Sequence, residues 1–244
     1  MSLSVVVMTM IALLTRIKGL DPPSLFIDDL WQGLLSGASL TDQIKLRSSA
    51  PIAFTSLLGA ALRLIPDPEI SLQLVPFLAG LALIPLMARV VYRLTRNPPA
   101  SVVAAALVTI APEVVDQSIR VKQYTLDALL VAALLLLAIV VCEEKKHFTL
   151  LVVAALFFLL FSFSSAVVSV LLISAFAVAN RRGLLKKAEN RWILVNLVVF
   201  FVGTGLYYVF VLKGQKNPAL EVFWRGCFPD TFQGFFSGLT ALFK

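Results

Sequence analysis

Apolar positions along this chain gather in long unbroken runs, and the charged residues fall between them. A membrane-crossing helix needs about 20 apolar residues, fewer where polar anchors cap it. Residues 1–14 form the first run, followed by Arg16 and Lys18. It has no basic leading region and no small-residue cleavage site, so it reads as a retained helix rather than a signal peptide. Further spans are expected over 70–91, 100–115, 124–142 and 192–212, with Arg89, Arg93 and Arg96, then Glu143, Glu144, Lys145 and Lys146, marking two of their ends. Asn97-Pro98-Pro99 is a turn. Residues 148–179 carry no charge at all. As one helix they would reach about 48 Å, against about 30 Å of hydrocarbon. Two short spans meeting at Ser162-Phe163-Ser164-Ser165 fit better, which makes about seven spans.

One stretch breaks the pattern. Residues 16–69 hold Asp21, Asp28, Asp29, Asp42, Lys45, Arg47, Arg63 and Asp67, together with Pro22, Pro23, Pro51, Pro66 and Pro68. Within it, 51–64 is apolar but short, as expected of an interfacial or re-entrant segment. The stretch reads as one large loop carrying helices along the membrane surface. Orientation follows from charge. Arg181, Arg182, Lys186, Lys187 and Arg191 oppose only Glu189 in one short loop, which should therefore be cytoplasmic. Counting back places Glu143–His147 and then Arg93 and Arg96 on the same side. The 16–69 loop and the 213–244 tail come out on the other. Cys142 and Cys227 then lie on opposite faces and should not pair.

Composition agrees and narrows the class. Of 244 residues, 59% are hydrophobic and 14% charged, and the mean hydropathy is +0.91. A soluble domain is about 45–50% apolar and about 25% charged. An ordinary soluble enzyme, a disordered chain and a disulfide scaffold are excluded. A membrane β-barrel is disfavoured, because barrel strands alternate apolar and polar residues. The expected fold is all-α, a polytopic helical membrane protein. The net charge of +7 reads as cytoplasmic anchoring rather than nucleic-acid binding, since no basic stripe carries interleaved aromatics. No internal repeat is detectable, which argues against an inverted-repeat transporter.

Three places could hold chemistry. Asp28 and Asp29 lie between Phe26-Ile27 and Leu30-Trp31 in the outer loop. A carboxylate so placed could act as a general base, or the pair could simply cap the helix beginning at Leu30. Arg120, Lys122, Gln123, Tyr124 and Asp127 fall at an outer junction between spans. They could hold a lipid-linked phosphate or anchor the helix at the interface. Asp127, just inside the span, is either functional or paired with Arg120 or Lys122. The tail, with Lys213, Lys216, Glu221, Trp224, Arg225 and Asp230, could close over the outer loop or remain solvated. His147, the only histidine, sits in a cytoplasmic loop, a poor place for catalysis. There is no phosphate-binding P-loop, no HExxH and no GxSxG. Gly33 to Gly37 reads as a loop segment rather than helix packing within a span.

The order of these features resembles the GT-C membrane glycosyltransferases, of the dolichyl-phosphate-mannose protein mannosyltransferase and aminoarabinose transferase type. The carrying segments are Phe26-Ile27-Asp28-Asp29-Leu30-Trp31, then Ala50-Pro51-Ile52-Ala53-Phe54, then Pro68-Glu69-Ile70 through Leu74-Val75-Pro76, and Lys122-Gln123-Tyr124-Thr125-Leu126-Asp127. The likeness covers about residues 1–212, with 213–244 an outer-face tail. It implies inverting transfer of a sugar from a polyprenyl-phosphate donor to an acceptor glycan, lipid or protein on the non-cytoplasmic face. Asp28 would be the general base and Asp29 the second acid. Arg120, Lys122, Tyr124 and Arg225 would hold the donor phosphate. The expected location is an integral protein of a bacterial inner membrane, with the active face outward.

The chain departs from that pattern in three ways. Gln73 stands where members often have Arg, and Arg120 where an acid is common. Typical members also continue for several helices beyond the seventh. No metal site or cofactor is expected from the residues themselves. A divalent cation stays open, because two adjacent acids do not make a site. The alternatives are a noncatalytic subunit that binds lipid or a membrane protein partner, and, behind it, a small-solute transporter. A transporter would want polar residues in mid-span, and the spans offer few, Gln73, Asp127 and Asn196, of which only Asp127 is ionisable, near one end.

Overall fold

The structure, a computed structural model, describes residues 3–20, 27–45, 50–144, 147–184 and 191–213. Among the described residues the regular structure is all helical, with no strand. In chain order the helices are α1 (Leu3–Ile17), α2 (Ile27–Gly37), α3 (Leu40–Lys45), α4 (Ile52–Leu64), α5 (Pro68–Thr95), α6 (Pro98–Ile110), α7 (Pro112–Ile119), α8 (Tyr124–Glu144), α9 (Phe148–Leu159), α10 (Phe163–Leu184) and α11 (Arg191–Tyr207).

Four stretches are long and apolar enough to cross a membrane: Leu3–Leu20, Pro68–Thr95, Tyr124–Glu144 and Trp192–Leu212. A fifth is counted if α6 and α7, bent by 55° at Ala111, form one broken span. Large apolar side chains face outward along them, including Val7, Met10 and Leu14 on α1 and Val198, Phe201 and Val202 on α11. Water does not tolerate contiguous apolar surface of that extent, and lipid does. The chain is built as an integral membrane protein.

Local chemistry sets the helix boundaries. α5 starts where the Asp67 carboxylate accepts hydrogen bonds from the Glu69 and Ile70 amides, at 2.9 and 3.1 Å, with Pro68 in the first turn. It ends at Arg96, which takes a left-handed conformation (φ 55°). Asn97 caps α6, accepting from the Ala100 amide at 3.3 Å. The uncharged 148–179 stretch breaks at Ser162, as its length demanded. Phe148, at the start of α9, stacks on Phe176, deep in α10, with ring centroids 4.4 Å apart. That contact requires α9 and α10 to run antiparallel as a hairpin. Leu151, Val152, Ala155 and Ile173 fill the space between, with Leu134 of α8 and Phe200 of α11.

The bundle has two chemically distinct ends. α5 and α8 run in the same direction. Near their starts the Thr125 hydroxyl donates to the Pro76 carbonyl at 3.0 Å. At their finishes Glu143 binds both Arg93, at 2.6 Å, and Arg96. α9 and α11 also begin at the Glu143 end, where Trp192 Nε1 donates to Thr149 Oγ1 at 3.0 Å. Arg93, Arg96, Glu143 and His147 therefore share one end, and Asp29, Arg120 and Tyr124 lie at the other.

Two boundaries differ from the sequence reading. Residues 100–115 do not form one straight helix: α6 ends at Ile110, and the chain bends by 55° at Ala111 before α7. Arg16 does not open the polar loop. It belongs to α1 and is fully buried. The two corrections have one cause. Pro112 has no amide hydrogen, so it cannot bond the Val108 carbonyl four residues back. The bend also withholds the next amide from Thr109. Arg16 supplies both, with Nη2 3.3 Å from the Val108 oxygen and Nη1 3.4 Å from the Thr109 oxygen. Its Nε donates to Ser118 Oγ at 3.3 Å on α7. A cation at a helix C-terminus is also favoured by the helix dipole.

Candidate functional site

The Asp29 end is assembled from α2, α4, the start of α5, the α7–α8 junction and the α9–α10 turn. α2 places the first acids there and is amphipathic in the reverse of the soluble sense. Asp29, Gln32, Leu35 and Ser36 are buried against the bundle, while Leu30, Trp31 and Leu34 face outward. Its polar stripe, at spacings of three and four residues, thus points into the protein. Gln32 Nε2 donates to Thr55 Oγ1 of α4 at 3.0 Å. α4 lies so close that a Cβ on Gly59 would overlap the Ser36 carbonyl oxygen. Glycine is required there by space rather than by backbone conformation.

Asp29 faces the second cluster. Its Oδ2 lies 3.7 Å from Arg120 Nε, with the Asp29 side chain 3% exposed and that of Arg120 25%. Arg120 also lies 4.0 Å from Asp116, one turn earlier. Asp29 Oδ1 is buried without a hydrogen-bond partner among the described residues. The pair joins the acidic loop to the 120–127 segment, two places the sequence had marked separately. Val121, fully buried in the core with Phe54, Leu58 and Leu72, holds that segment in register.

The remaining candidates distribute as follows. Lys122 is half-buried in the same turn, and its amide donates to the Arg120 carbonyl at 2.8 Å. Tyr124 opens α8 and is exposed. Asp127 is buried one turn further and accepts from Ser164 Oγ at 3.2 Å, at the α9–α10 turn, rather than from Arg120 or Lys122. Asp28 belongs to α2, but its side chain lies outside the described residues, as do Arg225, Cys227 and the tail from 214 onward. Among the described residues no three His, Cys, Asp or Glu side chains gather as a metal site.

Sequence reasoning missed Gln32, Thr55, Asp116, Ser164 and Arg16. The stripe Asp29, Gln32, Gly33, Ser36 follows helical periodicity and was available as a signal. Thr55 and Ser164 had none, because isolated hydroxyls in apolar helices are common.

The fold and this end of the bundle together define a helical membrane protein with a buried polar cluster at one membrane end. No family model matches the chain, and neither does any curated protein or solved structure.

Proposed function

We propose that the chain is an inverting glycosyltransferase that takes its sugar from a polyprenyl-phosphate donor and works at the Asp29 end, on the non-cytoplasmic face. In this reading α9 and α10 each cross the membrane, making seven crossings, with α2 to α4 lying at the outer surface. The observation that carries it is the meeting of Asp29 on α2 with Arg120 of the 120–127 segment, at 3.7 Å. The outward apolar face of α2 suits a helix lying against lipid, with its polar face turned to a site beneath.

Asp28 takes the proton of the acceptor hydroxyl as that oxygen attacks the anomeric carbon. The glycosidic oxygen leaves with the polyprenyl phosphate. Lys122 and Arg120 balance the charge developing on that phosphate, with Tyr124 and Arg225 completing its surroundings. Asp29 holds Arg120 in place. Nucleotide sugars are cytoplasmic, so a site on the outer face suits a lipid-carried donor. Acceptors are a glycan, a lipid or a protein hydroxyl.

A noncatalytic subunit is the second reading. It is favoured by one observation, that Arg120 is already flanked by Asp29 and Asp116. The two separate in membranes containing the full chain, with a labelled polyprenyl-phosphate sugar and a mixed acceptor extract. Asp28→Asn should reduce transfer by at least about a hundredfold, the usual contribution of a general base, while insertion and folding persist. Transfer at the wild-type rate would rule out Asp28 as the base. A silent variant together with a copurifying membrane chain would establish the subunit instead.

A further inference from the structure

The opposite end of the bundle has a cavity that the proposed reaction does not use. It holds about 530 Å³ between α1, α5 and α6. Val5, Pro85 and Ala88 form an apolar wall, and Arg89 and Tyr92 supply the polar part. Ser101 also lines it, but its hydroxyl already donates to the Pro98 carbonyl at 2.7 Å.

Three arginines lie along the last turns of α5, and they are not equivalent. Arg93 and Arg96 both bind Glu143. Arg89, one turn deeper, makes no ion pair or hydrogen bond among the described residues, and neither does the Tyr92 hydroxyl. An unmatched cation and a phenol thus stand beside an apolar cavity. Arg89 is exposed and lies about 10 Å along the helix from Arg96, near the end of the α5 span. An arginine near the end of a span reaches the headgroup region, where anionic lipids attract it.

We propose that this cavity binds the phosphate of an anionic phospholipid, with Arg89 and Tyr92 as donors and the upper acyl chain against Val5 and Pro85. Each part of the lining selects for that occupant. The guanidinium binds phosphate oxygens in a planar fork. A free phosphate would leave the apolar wall unused, and a zwitterionic lipid would carry a second cation toward Arg89. The volume is within the usual range for a small-molecule pocket, about 300–1,000 Å³, and suits a headgroup with its first methylenes rather than a whole lipid. The site is at the far end from the donor site, so either proposal can fail without the other.

The test is native mass spectrometry of the full chain in mild detergent, titrated with dioleoyl phosphatidylglycerol or dioleoyl phosphatidylcholine. One phosphatidylglycerol should bind at least about tenfold more tightly than phosphatidylcholine, because the two share the phosphate but choline brings a fixed cation toward Arg89 and cancels the headgroup's net charge. Arg89→Gln should remove that preference, Arg89→Lys should retain most of it, and Arg96→Gln should leave it intact. Soluble glycerol 3-phosphate should not displace the lipid. Equal binding of the two lipids, or an unchanged preference in Arg89→Gln, would overturn the proposal. So would displacement by glycerol 3-phosphate, which would mark a site for soluble phosphates.

Discussion

Arg16 offers a quantitative test of how this fold tolerates its bend. The perturbation is Arg16→Met, which keeps much of the apolar stem and removes the guanidinium. Two carbonyls then lose their donors, the part-buried one of Val108 and the buried one of Thr109, now at 3.3 and 3.4 Å from Arg16. These distances are long, so each bond belongs near the lower end of the range for charged donors, about 1.5 kcal/mol. Together they amount to about 3 kcal/mol, offset in part because a buried cation no longer has to be desolvated. A net loss of about 2 kcal/mol is expected. Because Pro112 creates the need, Pro112→Ala should reduce it, as alanine restores an amide that can reach Val108. In that background Arg16→Met should cost about 1 kcal/mol less, although residues 16 and 112 need not touch. The assay is reversible unfolding from mixed micelles with increasing SDS, followed by circular dichroism, on the four proteins of the cycle. A silent Arg16→Met, or an equal cost in both backgrounds, would refute the proposed link between the buried arginine and the bend.

Two further predictions follow from the Asp29 end. Removing Arg120 should hurt more than removing Asp29. Arg120→Gln strands a carboxylate that is 3% exposed, whereas Asp29→Asn leaves a guanidinium that is 25% exposed and still beside Asp116. Breaking a buried pair costs about 3–5 kcal/mol, and the partial exposure of Arg120 places the Asp29→Asn cost well below that. The same SDS titration checks the order, and a larger loss from Asp29→Asn would contradict the burial argument. Gly59→Ala should destabilise by about 1–3 kcal/mol through overpacking, because the new methyl meets the Ser36 backbone carbonyl, which cannot rotate away. Gly37→Ala, with open space around it, is the control and should change stability by less than about 1 kcal/mol.

Local properties of the chain determined its helices and its class. Apolar runs without charge can be satisfied only as helices in lipid. Asn97-Pro98-Pro99, the Glu143–His147 charges and the Ser162 to Ser165 break were legible because capping, charge and length act over a few neighbouring residues. The same reasoning put Arg93, Arg96 and Glu143 at one end, where two ion pairs now join them. Tertiary structure decided the rest. Asp29 meets Arg120, and Asp127 meets Ser164, across 91 and 37 residues. Arg16, read from its charge as the start of a polar loop, is buried because a proline nearly a hundred residues away exposes carbonyls that lipid cannot satisfy. Hydropathy assigns a side chain its average preference. Its place in this protein is decided by which unpaired backbone group or opposite charge the fold brings within reach.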